Sequence, residues 1–461
     1  MRVDFRQYYN IIIMNTIKKY IFIFLFSVLL SISVFGQVRQ PHSLYFLETI
    51  PQISQMNPAL QPRANNYLIL PVNVNFDFSS DLAVKDLLQQ RGSQWHTPIE
   101  EEYDYSALWK SIGKKATQFV SGVDCDIIGF GFRTNNGYFS FRTSVHASGA
   151  FALPSDFFKI TERGLPDGTK LDFSPLRVRA IAYKQITLGY SLNLTEQLTV
   201  GVNVKPIFGL ASAQTDINAF SLHTGKQQWD VTAKGAAYLS GPFDVYTNEN
   251  DKNKIDSVKM RTFELSMIPD YLFTNPGVAF DFGASYKIDE QFTVSAALNN
   301  LGFMSWRNAL NGANFDSKAS FDGITYNVAE DDFDNIKTKD LIDSILKIDF
   351  MVQKEKFKTP VTPVLHLGAT YQVTEWAAAG FLSRTVFWKN AVRQSFNLSA
   401  NLQPYNFVSF NLGATYQVKG NICLSSGFMF LMGPLQFYFL TDYVPVYYST
   451  LEYDGNNFMI P

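Results

Sequence analysis

The sequence of 461 residues is 46% hydrophobic and 15% aromatic but only 17% charged, with 39 Lys+Arg against 41 Asp+Glu. A formal charge of −2 offers no field for a polyanion, which excludes nucleic acid as an expected partner, and two cysteines exclude a disulfide scaffold or a Cys-rich zinc site. The 41 Phe and 23 Tyr occur in a chain of mean hydropathy only −0.05, the balance that alternating strands produce.

The amino terminus reads as an export signal over residues 1–36. Ile21 to Val34 is one apolar run, with Lys18 and Lys19 before it and Phe35-Gly36-Gln37 after it. Val34 and Gly36 supply the small residues of a cleavage site before Gln37. The run is shorter than the roughly 20 residues of a membrane-spanning helix. Met14 stands where an initiator would give a conventional charged region. In residues 37–66, Pro51, Pro58 and Pro62 rule out a long helix or a central strand, and Pro58 pushes Asn57 out of the α region. Asp81 to Gln90 and Tyr105 to Ser121 carry apolar residues at helical spacing and are expected as helices, in an insertion at about 80–123 that caps a barrel mouth.

Beyond them the chain reads in twos. Ile186, Leu188, Tyr190, Leu192 and Leu194 alternate with Thr187, Gly189, Ser191 and Asn193, and Val408 to Val418 repeats the pattern. The segment LGATYQV occurs at Leu367–Val373 and again at Leu412–Val418, with FGASYKI at Phe282–Ile288 as a variant. The polar side holds Gly, Ser, Thr, Asn and Gln rather than Lys and Glu, which suits a confined wet lumen and puts the aromatic side in lipid. Strands are expected near 68–78, 127–134, 138–148, 178–194, 198–209, 228–238, 261–268, 278–288, 292–303, 363–373, 377–388, 394–403, 406–418 and 421–431, with another near 436–441. The fold expected is all-β, an antiparallel transmembrane barrel of about 14 strands over residues 67–461. Short turns at 194–198, 288–292, 373–376, 403–406 and 418–421 are expected on one rim, with longer polar connections around 210–227, 239–260, 303–362 and 386–394. The chain ends on Pro461, which cannot donate to a closing ladder.

Chemistry finds little footing. His42, His96, His146, His223 and His366 form no metal-binding pair, so no metal, no cofactor and no catalytic residue is assigned. His366, on the polar side of its strand, is the histidine that could meet a serine as a lipid hydrolase requires, but no GxSxG accompanies it. Gly129 and Gly131 fit a strand face where bulk must be avoided better than a phosphate loop. The acidic runs at 330–334 and 248–251 read as solvated loops, and Cys125 and Cys423 as unpaired. Pro206 deletes a ladder donor and Gly209 permits a bend, which makes the pair the candidate strand interruption.

Ser43 to Leu60, containing Asn57-Pro58-Ala59, followed by a strand from Tyr67, resembles the opening of FadL-like outer-membrane barrels. Asp124–Phe141 and Val278–Gly302 are similar to a Bacteroidetes family of uncharacterised FadL/PorV-like barrels, and the likeness runs along most of the mature chain. The resemblance implies an outer-membrane location and an inward-folded hatch over residues 37–66 at Asn57, Pro58 and Ala59. It implies either transport of a hydrophobic small molecule or, as in PorV relatives, a role in protein secretion with a secreted-protein partner. A Gln- and Asn-rich segment punctuated by prolines can also plug a polar lumen on physical grounds, its backbone bonded by amide side chains of the wall.

Overall fold

The computed structural model describes residues 42–444, apart from 71–72, 81, 83–86, 93, 99, 101–102, 113–114, 262–272, 322–348, 389–390 and 419–421. The expected export signal, the acidic run at 330–334, the strand expected at 261–268 and the carboxyl-terminal tail lie outside the described residues.

After two short 3-10 turns the chain enters β1 Asn66–Ile69 and β2 Val74–Ser80. A small hairpin follows, β3 Gln89–Arg91 with β4 Gln94–His96, and then helix α1 Tyr105–Ser111. The helix expected over 81–90 is therefore replaced at its end by a strand, Gln89 pairing with His96. The second expected helix stops at Ser111, ten residues early. Asp104 caps its start by accepting the Ser106 amide at 2.9 Å. Ile112 is already extended, and the β-branched and aromatic run Thr117-Gln118-Phe119-Val120 joins β5, Ala116–Thr134. Pairing of β5 with β6, Gly137–Pro154, along its whole length overrides the helical spacing.

Helix α2, Asp156–Arg163, and the short β7, Lys170–Asp172, sit on the rim beyond β6. Then come β8 Arg177–Asn193, β9 Leu198–Thr224, β10 Trp229–Ser240, the hairpin β11 Phe243–Thr247 with β12 Ile255–Met260, β13 Pro276–Lys287, β14 Phe292–Trp306 and β15 Leu310–Phe321. After β16 Met351–Val352 and β17 Phe357–Pro360 a regular meander closes the chain: β18 Val364–Thr374, β19 Ala377–Trp388, β20 Ala391–Tyr405, β21 Val408–Gln417, β22 Ile422–Met432 and β23 Leu435–Val444.

Four connector expectations change, and within the connection expected over 303–362 residues 310–321 form β15 and pair with β10. Residues 210–224 are strand, because β10 supplies a ladder for them from Ser212 to Thr224. The connection placed at 386–394 shrinks to the residues between Trp388 and Ala391. Strict alternation puts the end of β21 and the start of β22 on the rim opposite 403–406. At a rise of about 3.3 Å per residue, the 27 residues of β9 span far more than a hydrocarbon layer of about 30 Å, so the wall rises past the lipid on the side of Thr224.

Every pairing among the described residues is antiparallel. β1 and β2 both pair with β5, and the sheet continues through β6, β8 and β9; the lower part of β9 pairs with β13 and its upper part with β10. β14, prolonged by β15, leads to β18 and the meander through β23. The two sheet ends meet where the Tyr438 hydroxyl donates to Asn73 Oδ1 at 2.8 Å. The wall is polar inside and apolar outside. On β21, Ser409, Asn411 and Thr415 are at most 2% exposed, while Phe410, Leu412 and Tyr416 are 39%, 57% and 45% exposed. A water-soluble sheet protein would reverse that order, so the outer face is built for lipid. No helix among the described residues is long and apolar enough to cross a membrane.

Candidate functional site

A plug fills the lower lumen, on the side of the turns at 194–198 and 288–292. His42–Phe46 and Pro51–Gln55 form its two 3-10 turns, and Leu44, Tyr45, Leu47, Ile50 and Met56 pack on Leu382 and Met429 of the wall. Asn57 is fully buried. Its Oδ1 accepts the Ala59 amide at 2.9 Å, which fixes the turn through Pro58. Its Nδ2 reaches the Tyr45 hydroxyl at 3.1 Å and the Ala296 and Ala284 carbonyls at 3.3 and 3.4 Å. Burial pushes the Tyr45 phenol above its ordinary range, against the hydrogen bonds from Ser295 and Asn57, so it stays a neutral hydroxyl.

The wall has been cut back to receive this segment. A Cβ at Gly201 would fall on the Pro58 carbonyl, one at Gly283 on Asn57 Oδ1, and one at Gly368 on the Tyr45 ring. Gly283 and Gly368 are the glycines of the FGASYKI and first LGATYQV segments. Amide side chains bond the plug backbone: Asn299 Nδ2 donates to the Gln55 and Met56 carbonyls at 3.0 and 2.8 Å, and Gln436 Nε2 to Thr49 at 2.8 Å. At the lower rim Arg133 donates to the Pro62 carbonyl at 2.6 Å and Tyr138 to Ala64 at 3.0 Å. Gly131 faces the Tyr67 ring, and Gly129 faces Ile69 and Arg142, so both occupy crowded strand positions.

Above the plug lies a cavity of about 150 Å³, with Gln55 at its edge. Its lining includes the apolar Ile181, Met304, Val361 and Val364 and the charged Arg142, Arg179, Lys205 and Arg384. Lys205 is buried in an ion pair with Asp281 at 2.5 Å, and Arg142 pairs with Asp126 at 3.0 Å. Such pairs are tolerated in a membrane wall only when each charge finds a partner.

The wall is broken beside this cavity. Up to Phe208, β9 pairs with β13, where Pro276 faces Phe208; from Ser212 it pairs with β10, where Ser240 faces Ser212. Between Ser240 and Pro276 the chain leaves the sheet, and the β11–β12 hairpin lies in that excursion. Gly209 stands opposite the break. Its amide donates to the Asn275 carbonyl at 3.0 Å, and its carbonyl accepts Asn275 Nδ2 at 3.2 Å. Asn275 has φ 49 and caps the Arg307 and Asn308 amides at 2.8 and 2.9 Å. The Trp306 ring lies over Gly209, within a cluster of Ile181, Ile207, Ala279, Met304 and Val361. Pro206 faces Val278 across the sheet on one side. On the other, the β8 ladder lapses between Gln185–Ile207 and Leu188–Val204 and is irregular at Ala182/Tyr183. Pro206 and Gly209 both lie inside the continuous strand β9, Pro206 within its unbroken β13 ladder and Gly209 where its partner changes from β13 to β10, on the strand that also carries Gly201 of the plug seat.

His366 lines the cavity and meets no serine. A different histidine does. His42 Nε2 lies 2.7 Å from Ser395 Oγ, its Nδ1 contacts Asp442, and its own amide donates to Asp442 at 2.6 Å. The three residues come from the plug, β20 and β23, and nothing local in the sequence marks them as a set. Lys205 with Asp281 and the cap Asn275 were likewise unmarked; a charged pair at alternate-strand positions facing inward was the available signal. Cys125 and Cys423 are free thiols. Asn248 accepts the Asn250 and Asp251 amides at 2.9 and 3.3 Å, so that run bonds within its own loop.

The chain belongs to a family of unknown function (DUF5723), whose model matches residues 58–442. No curated protein matches the sequence. Among solved structures it is similar to the toluene transporter TbuX of Ralstonia pickettii, at 10% identity and TM-score 0.41 over 84% of this chain and 86% of that one. It is similar to the toluene transporter TodX of P. putida at 10% identity and TM-score 0.37, covering 86% and 85%, and to the CymD monoaromatic hydrocarbon channel at 8% and 0.33, covering 80% and 88%. The fold assignment rests on the strand pairing and inverted polarity described above.

Proposed function

We propose that the protein is a plugged outer-membrane barrel that passes hydrophobic small molecules passively, with Asn57-Pro58-Ala59 as the hatch and the Pro206–Gly209 stretch as the lateral exit. One observation carries the reading. The apolar lining residues Ile181, Met304 and Val361 belong to the same cluster as Trp306, which covers Gly209 where the β9 partner changes. A ligand held above a seated plug would have a short apolar way toward lipid there, without crossing the amide-bonded plug. An exported chain with a lipid-facing barrel wall belongs in an outer membrane, since strands, not helices, would carry it across.

Fractionation of cell envelopes tests the location, and quenching of intrinsic fluorescence in the purified protein by fatty acids or aromatics tests ligand binding. Absence of quenching together with co-purification of an exported protein would replace transport by a scaffold role.

The contact of Ser395, His42 and Asp442 favours a second reading, a hydrolase of esters. Their order, hydroxyl to Nε2 and Nδ1 to carboxylate, is that of a nucleophile, its base and the group orienting the base. Covalent labelling by a fluorophosphonate that disappears in Ser395→Ala would support it; an unlabelled wild-type protein would remove it.

A further inference from the structure

Below the row where the β9 partner changes, the lipid-facing side of the wall is apolar: Leu188, Tyr190, Val202, Val204, Phe280 and Leu301 all point outward and are exposed. The last row of that ladder is different. Lys184 on β8 faces Phe208 on β9, and Phe208 faces Pro276 at the head of β13. One residue further in, Gly277 faces Met304 of β14, and Ser305, beside Met304, faces Lys358 of β17. Ile207, Met304 and Thr359 are buried on the inner side, so the residues next to them, Phe208, Ser305 and Lys358, point outward, and Lys184 points outward with Phe208. The two lysines therefore share one outward row, four strand spacings or about 19 Å apart. Among the described residues neither ammonium meets a carboxylate; Lys184 Nζ lies over the Phe273 ring at 5.2 Å and Lys358 Nζ over the Phe303 ring at 5.0 Å. A ring face attracts a cation without cancelling its charge. Phe273 packs on Phe208 with ring centroids 5.2 Å apart, and Phe303 is on β14, so both rings stand between the strands that carry the lysines and draw the two charges toward each other. Lys184 stands nine residues above Asn193, where β8 ends at the lower turn. That is about 30 Å along the strand and, at a tilt of about 40°, about 23 Å along the membrane normal, against an apolar band about 25 Å tall. The row thus lies where hydrocarbon gives way to headgroups, on the side away from the short turns, which in bacterial barrels is the outer leaflet.

We infer that this face binds one lipid of the outer leaflet whose headgroup carries two phosphates. One phosphate meets Lys184 and the other Lys358, while the lysine stems and the Phe208 and Phe303 rings carry the upper acyl chains, which run down over Val204 and Leu301. A single phosphate cannot reach both lysines across about 19 Å of wall, whereas a headgroup built on two phosphorylated sugars can. The inference goes beyond the transport reading and does not need it, since a barrel with no cargo would hold the lipid equally.

The test uses the full chain purified in detergent, with bound lipid read by native mass spectrometry. The probes are lipid A with two phosphates, its monophosphorylated form, phosphatidylglycerol and inorganic phosphate. Lys184→Gln and Lys358→Gln should each weaken lipid A about fivefold, the contribution of one lysine at an anionic lipid surface, and the double variant about 25-fold. Removing one phosphate from the lipid should also weaken it about fivefold and make one of the two lysine variants silent, because that lysine has lost its partner. Phosphatidylglycerol should bind no better than the monophosphorylated form, and inorganic phosphate should not displace lipid A. Heat-modifiable migration on gels confirms that each variant is folded, and Lys287→Gln, at the lower rim beside Glu290, is the control that should stay within about twofold. Lipid A held alike by the wild type and the double variant, phosphatidylglycerol bound as tightly as lipid A, or full displacement by inorganic phosphate would each overturn the proposal. Quenching of intrinsic fluorescence by aromatics should be the same in all variants, so failure of the lipid site leaves the transport reading standing.

Discussion

Replacing Asn57 by alanine should unseat the plug without disturbing the wall. The substitution removes two well-formed hydrogen bonds, Oδ1 from the Ala59 amide at 2.9 Å and Nδ2 to the Tyr45 hydroxyl at 3.1 Å, and two longer ones to the Ala296 and Ala284 carbonyls. Net hydrogen bonds of this kind contribute about 1 kcal/mol each, and the long ones less, so the loss is about 2–3 kcal/mol. Of that loss, the share from the Ala284 and Ala296 carbonyls, about 1 kcal/mol, belongs to seating alone, because the bonds to Ala59 and Tyr45 join parts of the plug itself. At a factor of ten per 1.4 kcal/mol, the ratio of unseated to seated plug rises about fivefold. Single-channel recording in planar bilayers reads this directly, as a matching rise in the time spent in a high-conductance state. Gln61→Ala, which removes exposed bonds to Asn193 and Arg133, should change it little. A variant with normal heat-modifiable migration and unchanged conductance would refute the idea that Asn57 holds a plug.

Deleting residues 43–62 should raise conductance further and permanently, checked in the same recordings. Gly201→Val and Gly283→Val place a side chain on the Pro58 carbonyl and on Asn57; overpacking of about 1–3 kcal/mol should open the channel while the strands still pair, which amide exchange of β9 and β13 would show. Gly209→Val puts its Cβ 2.5 Å from the Trp306 ring, so it should displace the indole, shift tryptophan emission and change the rate of ligand exit to lipid. Asp442→Asn should loosen the start of the plug by weakening its contact with His42 and the His42 amide, seen as faster proteolysis near residue 42.

The barrel was legible in the sequence because its signal is local. Side chains on a strand alternate with a period of two, so Phe410, Leu412 and Tyr416 declare one face and Ser409, Asn411 and Thr415 the other before any partner strand is known. The proline-punctuated segment around Asn57 likewise declares an irregular backbone through its own residues. Local reading failed where pairing overruled it. Residues 210–224 alternate poorly and resemble a loop until β10 supplies their ladder, and Thr117 to Val120 fit a helix until β6 claims them.

The sites divide in the same way. Pro206 and Gly209 advertise an irregular strand through their own chemistry, a missing donor and a missing side chain. That Gly209 lies opposite the gap between Ser240 and Pro276, under Trp306, depends on the register of three strands. His42 meets Ser395 and Asp442 across 353 and 400 residues, and Gly201 and Gly283 meet Pro58 and Asn57 only when the plug is in place. The alternation of its own side chains tells each strand which face is wet. What touches that face is set by register and closure, which belong to the assembled sheet and to no single segment of the chain.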